Sequence, residues 1–194
     1  MMKRIAVLLA FLMMFSSSVV AQDFQKGLAA YEAGDYATAL QEWKPLAEAG
    51  YKSVQYNLGI MYLDGQGIPR DYKEAEKWFR LAAEQGLAEA QYNLGIGYDI
   101  VQDYKEAVKW YRLAAEQGDA KAQDNLGDMY ANGRGVRQDN AIAHMWYNIG
   151  AANGNELGGT NRNKIAKRMT NADISKAQAM ARECMDSDYT KCGY

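Results

Sequence analysis

Apolar residues recur along this chain at helical spacing, and the same arrangement returns several times. Between Ser53 and Leu63, the residues Tyr56, Leu58, Gly59 and Tyr62 fall near one helical face, which predicts a first helix there. The run DGQGIP then breaks it. Asp71 is placed to cap a second helix that reaches Glu84, with Ala75, Trp78, Leu81, Ala82 and Ala83 as its apolar stripe. Gly86 supplies a left-handed stop. QYNLGI at Gln55–Ile60 returns at Gln91–Ile96, and as QDNLGD at Gln123–Asp128. WFRLAAEQG at Trp78–Gly86 returns as WYRLAAEQG at Trp110–Gly118 and loosely as WYNIGAANG at Trp146–Gly154. The repeats are therefore 51–86, 87–118 and 119–154, preceded by a diverged unit, 22–50, in which Trp43 takes the place of Phe79, Tyr111 and Tyr147. One helical hairpin cannot cover its own stripe, so neighbours must stack. The expected fold is all-α, a solenoid of hairpins.

Gly59, Gly95 and Gly127 sit inside predicted first helices, at a cost of about 1 kcal/mol each relative to Ala. That cost is offset if a neighbouring helix packs closely there. The repeat ends at Gly154. Residues 155–194 predict a C-terminal helical cap, weak at Gly158-Gly159 and clearer from Asn163. Thr170 with Asp173 forms a capping box that opens a last helix to about Met185. Ile165, Met169, Ile174, Ala177 and Met180 can form the buried face of this cap.

The N-terminus carries a different pattern. Met1–Arg4 is basic, Ile5–Phe15 is apolar, and SSSVVA ends in small residues at Val19 and Ala21. This is the layout of a secretory leader, with cleavage expected after Ala21. A membrane anchor is the competing reading, although the run is short for a bilayer. Export would place the protein in the periplasm or outside the cell. In that setting Cys184 and Cys192 predict a disulfide, worth about 2–3 kcal/mol; two free thiols in a frayed tail are the alternative.

Charge and chemistry narrow the function. Without the leader's Lys3 and Arg4, 20 basic face 24 acidic side chains. No segment clusters Lys and Arg as nucleic-acid binding requires, and no later segment reads as a membrane span. The only His is His144, expected at a surface or helix interface, and no nucleophile or acid recurs beside it. The Gly-x-Gly pairs Gly65/Gly67 and Gly133/Gly135 lack the strand, third glycine and lysine of a nucleotide loop, and read as interhelical turns. Two Cys and one distant His do not complete a metal site, and no cofactor is implied.

AEAQYNLGIGY, DYKEAVKWYRLAAEQG and MYLDGQGIPRDYKEA resemble the Sel-one-like repeat family, a branch of the tetratricopeptide superfamily, over about Gln22–Gly154. The closing IAKRMTNADISKAQAMAREC resembles the tail of exported bacterial members. The resemblance implies a right-handed α/α superhelix with each first helix on the concave side, and an adaptor or scaffold role. A cysteine-rich branch linked to penicillin-like compounds staples each repeat with a disulfide. These repeats contain no Cys, so that activity does not carry over. In tetratricopeptide relatives an Asn of the first helix bonds a bound peptide's backbone, which would assign that role to Asn57, Asn93 and Asn125. The alternative is that these amides bond the adjacent repeat. Tyr56 and Ile60, Tyr92 and Ile96, and Asp124 and Asp128 flank the three Asn, passing from aromatic to acidic. They either line a groove for an extended peptide or partner protein, or lie between helices. The expected role is a non-enzymatic scaffold of the cell envelope. An envelope enzyme acting on cell-wall or β-lactam substrates and a secreted effector binding a host protein are the rivals.

The third unit is four residues shorter than its neighbours. GIGYDIVQDYKEA replaces GIMYLDGQGIPRDYKEA, so the link between its helices has lost the Gly-x-Gly. Its length resembles the plain tetratricopeptide turn. Gln102 stands where the first unit has Gly34, which predicts a strained left-handed residue. Ile100 and Val101 are expected to fill the space taken by Ile68 and Val136 elsewhere.

Overall fold

A computed structural model describes residues 21–192. Residues 1–20, the bulk of the predicted leader, lie outside the described residues. The described residues form ten helices and no strand. They are α1 (residues 21–32), α2 (Tyr36–Glu48), α3 (Lys52–Asp64), α4 (Tyr72–Glu84), α5 (Ala88–Ile100), α6 (Tyr104–Ala115), α7 (Ala120–Asn132), α8 (Asn140–Ala152), α9 (Glu156–Ala166) and α10 (Asn171–Asp186). Predicted boundaries hold to within a residue or two at α3 and α4.

Local chemistry accounts for the starts of these helices. Asp35, Asp103 and Asp139 each accept a hydrogen bond from a backbone N–H in the first turn of α2, α6 and α8, and Asp71 does so for α4. Each such cap is worth about 1 kcal/mol. Thr170 caps α10 at the predicted place: Asp173 N–H donates to Thr170 Oγ1 at 3.2 Å, and the Thr170 hydroxyl, rather than its backbone N–H, donates to Asp173 Oδ2 at 2.7 Å.

The chain divides into two compact units, up to Ala82 and from Ala83. The first buries Trp43, Leu46, Val54, Leu58, Met61 and Trp78 in one cluster. The second is built on Tyr111, Leu126, Met129, Trp146, Tyr147 and Ile149, joined by Ile165, Ala181, Cys184 and Cys192 from the C-terminal segment. There α9 and α10 both pack on α8, closing the repeat array with the predicted cap. Cys184 and Cys192 are buried at disulfide distance, with Cα atoms 4.4 Å apart. The loop they close carries Tyr189, whose hydroxyl accepts a bond from Asn153 Nδ2 at 2.7 Å, at the end of α8.

The helical glycines do what their recurrence suggests. A Cβ at Gly59 would stand 2.6 Å from the Phe79 ring, and one at Gly127 would stand 2.7 Å from the Tyr147 ring. Gly95 meets Tyr111 in the same way, and Gly27 meets Trp43, so the aromatic of each of these second helices packs against the glycine of its partner helix. Only a missing side chain permits that approach.

A second recurrent device was not read from the sequence. Gln55, Gln91 and Gln123 are buried and donate from Nε2 to the carbonyls of Ala47, Ala83 and Ala115 at 3.0, 3.1 and 2.9 Å. Each ties a first helix to the end of the preceding second helix, adding a side-chain donor to a carbonyl that also accepts from the backbone N–H of Gly50, Gly86 or Gly118. In the second unit the carboxamide oxygens are also used: Gln117 donates to Gln91 at 2.7 Å and Asn153 donates to Gln123 at 2.9 Å.

Two expectations need correction. Leu81 does not belong to the buried stripe of α4; it is 39% exposed, because it falls one step outside the arc that holds Trp78, Ala82 and Ala83. Of the two places expected for His144, surface or helix interface, it takes the buried one, at 2% exposed. Ile100 and Val101 do not replace Ile68 and Val136. They are 75% and 69% exposed, whereas Ile68 and Val136 pack partly buried against the two cores. The short link ends too early to fold back: Gln102 N–H bonds Asp99 O and Asp103 N–H bonds Tyr98 O, so the turn closes on the end of α5 itself. Gln102 takes φ 63°, the predicted left-handed strain.

Candidate functional site

The predicted site residues lie on the first helices of their repeats, and each unit builds its own part. In the first unit Tyr56, Asn57 and Ile60 of α3 are half-buried. The Tyr56 ring leans on Phe79 at 5.7 Å and 47°. Aromatic pairs at such separations add about 0.5–1.5 kcal/mol beyond their buried area.

The second unit shows more. Tyr92, Asn93 and Ile96 of α5 are half-buried, as are Asn125 and Asp128 of α7. Tyr92 pairs with Tyr111 at 6.1 Å and 43°. Asn125 reaches the hydroxyls of both tyrosines, on the preceding repeat. Burial pushes both phenols up, and the Asn125 amide offsets part of that. Asp124 differs from its flanking partners: it is 5% exposed, and Asn161 Nδ2 of α9 donates to its two carboxylate oxygens at 3.2 and 3.0 Å. Burial raises the Asp124 pKa, the Asn161 bond lowers it, and nearby Asp128 raises it. Asp128 accepts from the Tyr147 hydroxyl at 2.6 Å. Burial and this bond push the Tyr147 phenol well above its usual range.

These bonds share one rule. Asn161 holds in α9 the place that Asn93 and Asn125 hold in α5 and α7, so α9 is a diverged first helix. The Asn of one repeat reaches back to the residue that precedes the Asn of the repeat before: Asn125 to Tyr92, and Asn161 to Asp124. The stacking role is thus occupied in two places. Asn93 of α5 is half-buried.

Titratable chemistry is sparse here. Burial lowers the His144 pKa, and Arg162 lowers it further. Among the described residues no group of three or more His, Cys, Asp or Glu could hold a metal ion, and no helix is long and apolar enough to cross a membrane.

Paired helices in tandem, aromatic residues seated on glycines and inter-repeat amides define an all-α helical-hairpin solenoid. The family model named Sel1 repeat matches residues 53–87, 88–119 and 120–155, so the chain belongs to the Sel1 repeat family. Its proteins generally act as protein-interaction scaffolds. Among solved structures, a Sel1 repeat protein from Oxalobacter formigenes is similar at 37% identity and TM-score 0.60, over 65% of this chain and 98% of that one. A second, c5321, is a protective antigen present in uropathogenic Escherichia coli strains and displays an SLR fold. It is similar at 26% identity and TM-score 0.50, over 88% of this chain, which spans 47% of its length. Among curated proteins none matches the sequence.

Proposed function

We propose that this protein is an exported, non-enzymatic scaffold of the bacterial cell envelope that holds an extended peptide or partner protein on its first-helix face. In the second unit the contact set is Tyr92, Asn93, Ile96, Asn125 and Asp128, with Asp124 supporting from behind. Tyr56, Asn57 and Ile60 repeat the pattern in the first unit. The observation that carries the reading is Asn93. Asn is a poor helix former, yet Asn93 stands in the middle of α5 between Tyr92 and Ile96, and all three are half-buried side chains of one first helix. An amide flanked by half-buried aromatic and apolar surface suits a peptide backbone with apolar side chains on either side. Export is supported by the leader-like N-terminal pattern and by the buried cysteine pair at disulfide distance.

The test is site-specific cross-linking from envelope extract. A photoreactive residue at Ile96 should trap a discrete partner, and one at the exposed Lys109 of α6 should not. Equal trapping at both positions, or none at Ile96, refutes the face. Cell fractionation with N-terminal sequencing of the mature chain tests export: retention in the cytoplasm with an intact leader refutes it.

A further inference from the structure

The disulfide loop reaches beyond the cap that carries it. Cys184 lies on the buried face of α10, and Cys192 stands eight residues further on. Between them Asp188 and Tyr189 take φ 52° and 61°, two consecutive left-handed positions with no glycine at either, a conformation disfavoured for L side chains. Backbone bonds from Asp188 N–H to Met185 O and from Tyr189 N–H to Cys184 O complete the bend. The bend sets Tyr189, itself partly buried against the second unit's core, on two other places in the array. Its ring lies at Gly118, the stop between α6 and α7, where a Cβ would stand 3.7 Å from Cε2. Its hydroxyl accepts from Asn153 Nδ2 at 2.7 Å, at the end of α8. Asn153 Nδ2 also donates to Gln123 Oε1 at 2.9 Å, and Gln123 Nε2 donates to the Ala115 carbonyl at 2.9 Å. Tyr189 therefore stands at the end of a chain of amide bonds that joins α8 to α7 and α7 to α6.

We propose that residues 184–192 form a redox-released strap. The disulfide holds Tyr189 across the α6–α7 and α8–α9 turns, and reduction lets it go. Two adjacent left-handed residues persist only while their surroundings over-determine them, and the covalent closure supplies that constraint. With the bond open, the loop relaxes toward ordinary φ and the phenol leaves Gly118 and Asn153. Both turns then face solvent, while the helices keep the core they share. The reductant is a dithiol. One of its thiolates attacks a cysteine sulfur, the S–S bond breaks, and the other cysteine leaves as a thiolate; the reductant's second thiol then displaces the first cysteine. Two electrons and two protons pass to Cys184 and Cys192, and the dithiol ends as its own disulfide. Both sulfurs are buried, so attack waits until the tail lifts at Cys192. The strap uses none of the residues proposed for the first-helix face, so the two readings stand or fall separately.

The full mature chain, isotope-labelled, can be followed by NMR through oxidation, dithiothreitol treatment and reoxidation, with intact mass reporting the state of the two sulfurs. In the oxidised protein, nuclear Overhauser contacts should link the Tyr189 ring to the Gly118 α-protons and the Asn153 side-chain amide. Reduction should abolish these contacts and shift the Gly118 and Asn153 signals, leave the contacts between Gly127 and the Tyr147 ring in place, and reverse on reoxidation. Tyr189→Ala, with its disulfide intact, should shift Gly118 and Asn153 as reduction does. Tyr189 contacts that persist once both thiols are free overturn the proposal, because the loop then holds its shape without the bond. Loss of the Gly127–Tyr147 contacts on reduction also overturns it, since the bond would then support the whole unit rather than a strap. Unmoved Gly118 and Asn153 signals in oxidised Tyr189→Ala overturn it as well.

Discussion

Replacing Gly127 with Ala isolates the packing rule of these repeats. Helix propensity alone favours Ala by about 1 kcal/mol. The new methyl, however, would lie 2.7 Å from Cδ1 and Cε1 of Tyr147, well inside contact distance. The ring cannot swing clear, because it is 3% exposed and its hydroxyl is held by Asp128 at 2.6 Å. Overpacking of this kind costs up to about 3 kcal/mol. The net loss is then about 2 kcal/mol, or a melting temperature lower by about 4–8 °C for a chain of this size. Gly97→Ala is the matched control. Gly97 also lies inside a first helix, but a Cβ there meets nothing within 4 Å. That variant should gain up to about 1 kcal/mol. In a Tyr147→Ala background the penalty at Gly127 should vanish, since its obstacle is gone. Thermal unfolding followed by circular dichroism reads wild type and the four variants. A Gly127→Ala variant that melts at or above wild type, or an undiminished penalty without Tyr147, refutes the reasoning.

Three further outcomes are expected. His144 is neutral in the fold, with its pKa below the ordinary 6.5. Above pH 6.5 both states are neutral and stability is complete. As pH falls below 6.5 the unfolded chain takes up a proton first, so stability drops, by up to about 1.4 kcal/mol per pH unit, until the folded pKa is reached. Urea midpoints at pH 7 and pH 5 should converge in His144→Met relative to wild type, and identical slopes in the two proteins would contradict the assignment. Reduction of the Cys184–Cys192 pair should add two hydrogens to the intact mass and cost about 2–3 kcal/mol of stability; an unchanged mass removes the bond. Gln102→Gly relieves a left-handed φ of 63° and should stabilise by up to about 1 kcal/mol, whereas a lower urea midpoint would show that the turn is unstrained.

Much of the architecture was legible because repetition exposes it. One glycine could be a chance helix breaker, but Gly59, Gly95 and Gly127 at one register, each with an aromatic at a fixed distance along the chain, predict close helix packing. The left-handed residue at Gln102 was legible for the same reason, since Gly34 marks that place in another unit. What escaped depended on information outside the local string. Gln55, Gln91 and Gln123 recur as plainly as the Asn residues, yet the carbonyls they bind lie in the preceding hairpin. Leu81 sits near the margin of a helical arc, where a single step separates exposure from burial. The burial of Asp124 follows from Asn161, and α9 has diverged too far for that Asn to be recognised by its neighbours in sequence. Ile100 and Val101 have the right chemistry for a buried link but four residues too few to reach the core.

The central claim is that the first-helix face binds a partner through the half-buried groups around Asn93. The most direct measurement is a quantitative pull-down from envelope extract, comparing wild type with a Tyr92→Ala/Asn93→Ala variant whose helix content and melting cooperativity are verified. The account predicts that the partner recovered by wild type is lost or reduced at least about tenfold, equivalent to about 1.4 kcal/mol of binding. Full recovery of every partner by the folded double variant would contradict it.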